Sequence, residues 1–61
     1  MKRGPCFEVF RNRRGRWQWR QRAANGEIES LAEEYSTRWS AKRAAIRKAD
    51  ATRGATWKVV D

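Results

Sequence analysis

The chain has 61 residues and a formal net charge of +8, from 15 Lys and Arg against 7 Asp and Glu, with no histidine. A domain of this size buries only about 60% of the surface that its unfolded chain exposes, so we expect marginal stability, which dimerisation would raise. A single cysteine, Cys6, and no histidine exclude an intramolecular disulfide and a zinc site of the usual Cys/His type, and no cofactor is predicted.

The distribution of charge favours an anionic partner. Residues 1–22 hold eight Lys and Arg against Glu8, residues 23–36 hold four Glu and no base, and residues 37–61 hold seven bases against two acids. Such a field favours RNA or DNA, although a role in solubility alone is the simpler interpretation. A free thiol and no apolar stretch long enough for a signal-peptide core or a membrane span favour a cytoplasmic protein with no membrane partner.

The chain begins with an arm and a strand. Residues 1–5 contain a Gly-Pro pair and are predicted to form a flexible N-terminal arm, ahead of a single domain over residues 6–61. Residues 6–12 alternate in the manner of a strand. Two faces are expected, one with Phe7 and Val9 and the other with Glu8 and Phe10. Residues 13–15 then form the connection of a β-hairpin, in which Gly15 takes positive φ.

The second strand separates tryptophan from arginine. Trp17 and Trp19 share one parity and are predicted to face the core, while Arg16, Arg20 and Arg22 share the other. Asn25-Gly26 ends this strand and predicts a type I′ turn. A weakly apolar third strand follows over residues 27–32, with an exposed face or edge. Its Glu27 and Glu29 have the parity to pair with the arginines of the second strand.

A helix and a last strand complete the pattern. Ser36 or Thr37 is a suitable N-cap for a helix over residues 38–51, which Gly54 ends. The predicted packed arc of that helix contains Trp39, Ala41, Ala45, Ile46 and Ala49. Residues 55–61 form a fourth strand, at an edge of its own sheet or of a partner's sheet. The predicted class is α+β: a three-stranded antiparallel meander with one packed helix and a C-terminal strand (β-β-β-α-β), completed by homodimerisation.

The chain contains the segments FEVF at 7–10, GRWQWR at 15–20, AANGEI at 23–28, EYS at 34–36 and SA at 40–41. These segments resemble the repeat unit of the YegP-like family, a bacterial and archaeal family of unknown function. The resemblance, which covers about residues 7–49, implies a β-β-β-α unit that occurs in tandem or as a dimerising single copy. Since one copy is present, it implies a homodimer; it implies no active site. The chain departs from the family pattern at Trp39 and at Arg47-Lys48.

The candidate binding residues are arginines. Guanidinium groups bind phosphate bidentately, and a two-stranded ribbon is narrow enough to enter the major groove of a duplex. A solvated face paired with Glu27 and Glu29 explains the hairpin arginines about as well, and a basic helix is more often simply soluble. The candidates for nucleic-acid binding are Arg11, Arg13, Arg14, Arg16, Arg20 and Arg22 of the hairpin, with Arg43 and Arg47 of the helix.

Other residues are candidates for an interface between two copies of the chain. Phe10 projects away from Phe7 and Val9, and the last strand carries apolar side chains. The candidate dimer interface therefore contains Phe10, Trp57 and Val59. No nucleophile has a neighbouring base, so no catalytic residue and no enzymatic activity are predicted.

The sequence thus predicts a small basic, non-catalytic interaction protein that binds nucleic acid through an arginine-rich hairpin face. The alternative is a structural or protein-interaction homodimer that binds an acidic protein.

Overall fold

The structure is a computed structural model that describes residues 4–60. It contains four strands and one helix: β1 (Cys6–Arg11), β2 (Trp17–Arg22), β3 (Ile28–Leu31), α1 (Arg38–Ala51) and β4 (Thr56–Val60). The predicted α+β class and the β-β-β-α-β order are confirmed. Most of the predicted N-terminal arm, residues 1–3, and the predicted last residue of the fourth strand, Asp61, lie outside the described residues.

The four strands form one mixed sheet in the order β3-β2-β1-β4. The pairs β1–β2 and β2–β3 are antiparallel, as a meander requires, whereas β4 is parallel to β1. A parallel neighbour needs a crossover connection, and α1 supplies it by carrying the chain from the β3 edge to the opposite edge. In the single chain, therefore, the fourth strand joins the sheet of its own chain.

Both hairpins use a three-residue loop with glycine in the left-handed position. Gly15 has φ of 77° and Gly26 has φ of 92°, and no other residue type within residues 4–60 has positive φ. Ala23 O accepts from Gly26 N at 2.9 Å, and Ala23 N donates to Glu27 O at 2.7 Å. A type I′ turn needs positive φ at Asn25 as well, so that prediction was wrong: the loop is a type I turn followed by a glycine bulge.

The core lies between one face of the sheet and α1. Phe7, Val9 and Trp19 pack there against Ala41, Ala45 and Ala49, which are all buried. Phe7 and Trp19 meet edge to face, with their ring centroids 5.4 Å apart. The prediction that the tryptophan face of β2 is the core face is confirmed, and Trp17 packs half-buried at the edge of this core.

The predicted bounds of the helix are confirmed, but its packed arc is narrower than predicted. Thr37 is the N-cap, and its hydroxyl accepts from Ser40 N at 3.1 Å. Only the three alanines are buried, and small side chains at that spacing let the helix approach the sheet closely. Trp39 is 65% exposed, so its predicted place in the packed arc was wrong.

The other face of the sheet, here called the open face, is not covered by α1. The strand registers place on it Glu8 and Phe10 from β1, Arg20 and Arg22 from β2, Ile28 and Leu31 from β3, and Lys58 from β4. Ile28 and Leu31 are 47% and 60% exposed. Glu8, however, is buried on this face, because longer side chains lie over it.

Candidate nucleic-acid interface

The tip of the first hairpin holds its arginines on a hydrogen-bonded loop. The Asn12 side-chain oxygen accepts from Arg14 N at 2.9 Å and from Arg16 N at 3.0 Å. The Asn12 amide nitrogen donates to Gln18 at 2.9 Å and to Glu34 at 2.7 Å. Asn12 therefore fixes the loop and fastens it to the segment before α1, so the exposed arginines project from a defined backbone.

One carboxylate lies beside the hairpin tip. Glu34 Oε1 is 3.5 Å from Arg14 Nη1 and 3.8 Å from Arg16 Nε. Both arginine side chains remain more than half exposed, and an exposed pair of this kind contributes about 0–1 kcal/mol. Within residues 4–60, Arg11 and Arg13 have no ion pair. The tip therefore keeps an excess of positive charge.

The remaining hairpin arginines form ion pairs and hydrogen bonds within the protein. Arg20 Nε and Arg22 Nε donate to Glu8 Oε1 at 2.8 Å and 3.1 Å, and Lys58 Nζ lies 3.5 Å from Glu8 Oε2. Arg22 also donates to Gly26 O at 2.6 Å. The prediction that the hairpin arginines pair with Glu27 and Glu29 was wrong: within the described residues, their partners are Glu8 and Glu34.

Glu8 is held ionised by this cluster. Burial by itself raises the pKa of a carboxyl group, but the hydrogen bonds and positive charges of Arg20 and Arg22 outweigh it and lower the pKa of Glu8 below its ordinary value. The Arg20 guanidinium is also 4.6 Å from the centre of the Phe10 ring. Arg20 and Arg22 are therefore less available to an external phosphate than the arginines of the tip.

The candidate dimer residues do not share one face of the sheet. Phe10 lies half-buried on the open face, whereas the registers Phe7–Trp57 and Val9–Val59 place Trp57 and Val59 on the helix side. Trp57 is 39% exposed, and Lys42 Nζ is 5.5 Å from the centre of its ring. The β4 edge brings Trp57 and Val59 together, but the structure does not bring Phe10 to them.

The two helix arginines lie beside a cleft between α1 and β2. The cleft has a volume of about 660 Å³, and Arg43, Arg47 and Lys48 line it together with aromatic side chains. Those aromatic side chains are Trp19, Tyr35 and Trp39. The Arg43 guanidinium is 5.1 Å from the centre of the Trp39 ring. Within residues 4–60 no acid pairs with these bases or lines the cleft, so the site is both aromatic and cationic.

The cleft and the hairpin tip are neighbours. Trp17 N donates to Tyr35 O at 3.2 Å, and Tyr35 N donates to Trp17 O at 2.7 Å. This short bridge places Tyr35, which lines the cleft, next to Glu34, which contacts the tip arginines. The segment before α1 therefore contributes Tyr35 to the cleft and Glu34 to the hairpin tip.

Sequence reasoning missed the aromatic part of this site. At about 100° per residue, Trp39 lies about 120° from Ala45, the middle of the three buried alanines, so the spacing of those alanines alone places Trp39 outside the packed face. Tyr35 gives no comparable signal, because it lies in an irregular connection, where side-chain direction has no period. Lys48 also lines the cleft, although the predicted binding residues of the helix are only Arg43 and Arg47.

The described residues also show what the chain lacks in this region. No three of the Cys, Asp and Glu side chains among residues 4–60 are grouped so that they could hold a metal ion. The helix in that part of the chain is too short and too polar to cross a membrane. No model of a known protein family, no curated protein and no solved structure matches this sequence.

Proposed function

We propose that this protein is a non-catalytic cytoplasmic module that binds nucleic acid. The observation that carries the proposal is that Arg13 of the tip and Arg43 and Arg47 of the helix have no acidic partner within residues 4–60, although Glu8 and Glu34 take up other arginines. Guanidinium groups without internal partners, next to an exposed aromatic ring, are suited to phosphate and base contacts.

The proposed ligand contacts are fewer than the predicted ones, because some arginines have partners within the protein. Arg20 and Arg22 support Glu8, so in this proposal they act in the fold first. The proposed contacts come instead from the exposed arginines of the hairpin and of the helix. These are Arg11, Arg13, Arg14 and Arg16 of the hairpin and Arg43 and Arg47 of the helix.

We expect Arg43→Gln and Arg47→Gln each to weaken binding of a labelled oligonucleotide and to flatten its dependence on salt. Each neutralised phosphate contributes about 0.7 to the slope of log affinity against log salt for a single strand and about 0.9 for a duplex. The slope should therefore decrease by about that amount in each variant. Fluorescence anisotropy at several salt concentrations measures both quantities.

Arg53→Gln is the matched control, because Arg53 is also exposed but follows the helix and does not line the cleft. It removes the same charge from the chain. An equal loss in all three variants would show that only net charge matters. If the wild-type protein bound no RNA or DNA at low salt, the proposal would be wrong and the acidic-protein alternative would replace it.

We also propose a homodimer, formed by pairing of the β4 edges. β4 is an edge strand of five residues rich in β-branched side chains, whereas the β3 edge is shorter and interrupted by a register shift. An unprotected edge strand is a template for pairing with another chain. Two β4 edges related by a two-fold axis would extend the sheet and bring Trp57 and Val59 of the two copies together.

Val59→Pro is expected to convert this dimer into a monomer. Thr56 N donates toward β1, to Pro5 O at 3.0 Å, and N–H groups alternate between the two sides of a strand, so the N–H of Val59 points to the free edge. Proline removes that donor and keeps an apolar side chain. Sedimentation equilibrium should show a dimer for the wild type and for the control Val59→Ala. A wild-type monomer at tens of micromolar would contradict the proposal.

A further inference from the structure

We infer that the cleft between α1 and β2 binds one unpaired nucleotide of a single-stranded nucleic acid, with the base against the aromatic residues and the phosphate on the helix bases. This inference rests on the proposed function and names the kind of nucleic acid and the place where it binds. It is carried by the shape of the cleft and by its charge and aromatic character.

Shape is the first argument. The cleft of about 660 Å³ lies within the range of about 300–1,000 Å³ that is usual for small-ligand sites. A second hollow of about 380 Å³ is also lined by Trp39, Arg43 and Arg47. The two hollows therefore share Trp39 and the same two arginines.

Charge and aromatic character form the second argument. Trp39 is 65% exposed, and the Arg43 guanidinium lies over its ring. An exposed ring gives a base a stacking surface whatever the base, and a flanking guanidinium can hold the adjoining phosphate. Arg43, Arg47 and Lys48 line the cleft with no acid among its residues, which fits a ligand with a negative group and an aromatic group.

These features select an unpaired nucleotide over a duplex. In a duplex the bases are stacked on one another and present only their edges in the grooves, so that aromatic side chains cannot stack on them. A ring at the mouth of a cleft reaches a base only when that base is free. Phosphate contacts alone would not select the single strand, because the duplex carries two backbones and the higher charge density.

The test compares wild type with Trp39→Ala in anisotropy titrations against a labelled oligo(U), a labelled oligo(dT) and a labelled duplex, all of the same length. We expect Trp39→Ala to weaken single-strand binding by about 5- to 150-fold, which corresponds to a stacking contribution of about 1–3 kcal/mol per base. Duplex affinity should change by less than about twofold, since the charge is unchanged. The difference between oligo(U) and oligo(dT) shows whether RNA or DNA is preferred.

Two variants control for side effects. Leu31→Ala removes a similarly exposed apolar side chain, 60% exposed, from the open face, and should leave single-strand binding unchanged. Trp39→Phe keeps an aromatic ring and should retain most of the affinity. A second readout is the indole N–H resonance of Trp19, which is expected to shift on addition of oligo(U) or oligo(dT) in the wild type.

The outcomes separate this inference from the proposed function. If the wild type binds neither single strands nor the duplex at low salt, the proposed function fails and the inference fails with it. If nucleic acid binds but Trp39→Ala changes single-strand and duplex affinity equally, or neither of them, the inference is overturned while the proposed function stands. A selective loss of single-strand binding, restored by Trp39→Phe, supports both.

Discussion

The Phe7→Ala variant is expected to lose about 3–5 kcal/mol of the free energy of unfolding, a large part of the total. Phe7 is 2% exposed and packs edge to face on Trp19, and the other large apolar side chains of the buried core are few because α1 contributes only alanines. Replacing a buried phenylalanine with alanine costs about 3–5 kcal/mol. At about 0.05–0.15 kcal/mol per residue, a chain of this size has a total stability of only about 3–9 kcal/mol.

Circular dichroism and tryptophan fluorescence during urea unfolding measure this effect. Ile28→Ala is the matched control, because Ile28 is 47% exposed on β3 and its loss should change the free energy of unfolding by less than about 0.5 kcal/mol. A Phe7→Ala protein with the same urea midpoint as Ile28→Ala would show that Phe7 does not carry the core in solution.

The strands and the helix were predictable because each has a period that local chemistry enforces. Trp17 and Trp19 alternate with arginines along β2, and the structure places them on the core face as the parity predicts. The helix bounds followed from the N-cap Thr37 and from a run without Gly or Pro. These are local properties, so a single sequence is sufficient to specify them.

The partners of the charged residues were less predictable, because several pairings share the same parity. Glu8 lies on β1 and Glu29 on β3, both next to β2, and Glu27 directly precedes β3, so only the register decides which of them meets an arginine. The structure pairs Glu8 with Arg20, directly across β1–β2, and with Arg22, its diagonal neighbour opposite Cys6. The register between β2 and β3 shifts at Gln21–Arg22. No residue type in the sequence predicts this bulge.

The cleft was the least predictable feature, since it forms between elements. It depends on α1 lying over β1, β2 and β4 but not over β3, which leaves the side of α1 nearest β3 uncovered. Arg43 and Arg47 were predicted as binding residues from the helix alone. They lie close to Tyr35 and Trp19 because separate elements pack together. Such packing leaves no periodic pattern in the sequence from which it could be predicted.

Glu8→Gln is expected to lower the free energy of unfolding at pH 7. It should also make that free energy depend less on pH. Replacement leaves Arg20 and Arg22 without the buried carboxylate to which they donate at 2.8 Å and 3.1 Å. Hydrogen bonds to charged groups contribute about 1.5–3 kcal/mol, so we expect a loss of about that size. Arg20 and Arg22 both donate to Oε1, and the amide oxygen of a glutamine can accept both bonds without the negative charge, which places the loss nearer the lower value.

The pH dependence follows from the direction of the pKa change. Because the folded protein lowers the pKa of Glu8 below its ordinary value of 4.5, the unfolded chain takes up this proton at a higher pH than the folded protein does. The stabilisation by Glu8 is therefore complete above that ordinary value and is lost as the pH falls through the folded pKa. Wild type and Glu8→Gln should differ most at pH 7 and converge toward pH 3.

Urea unfolding from pH 7 to pH 3 measures this convergence, with Glu33→Gln as the control. Glu33 is exposed and has no ion pair within residues 4–60, so its variant should follow the wild type across the whole range. If the free energies of unfolding of wild type and Glu8→Gln differed by the same amount at every pH, the pKa of Glu8 would be the same in the folded and the unfolded protein. The hydrogen bonds that Glu8 accepts would then stabilise the fold by the same amount whether or not its carboxyl group is ionised.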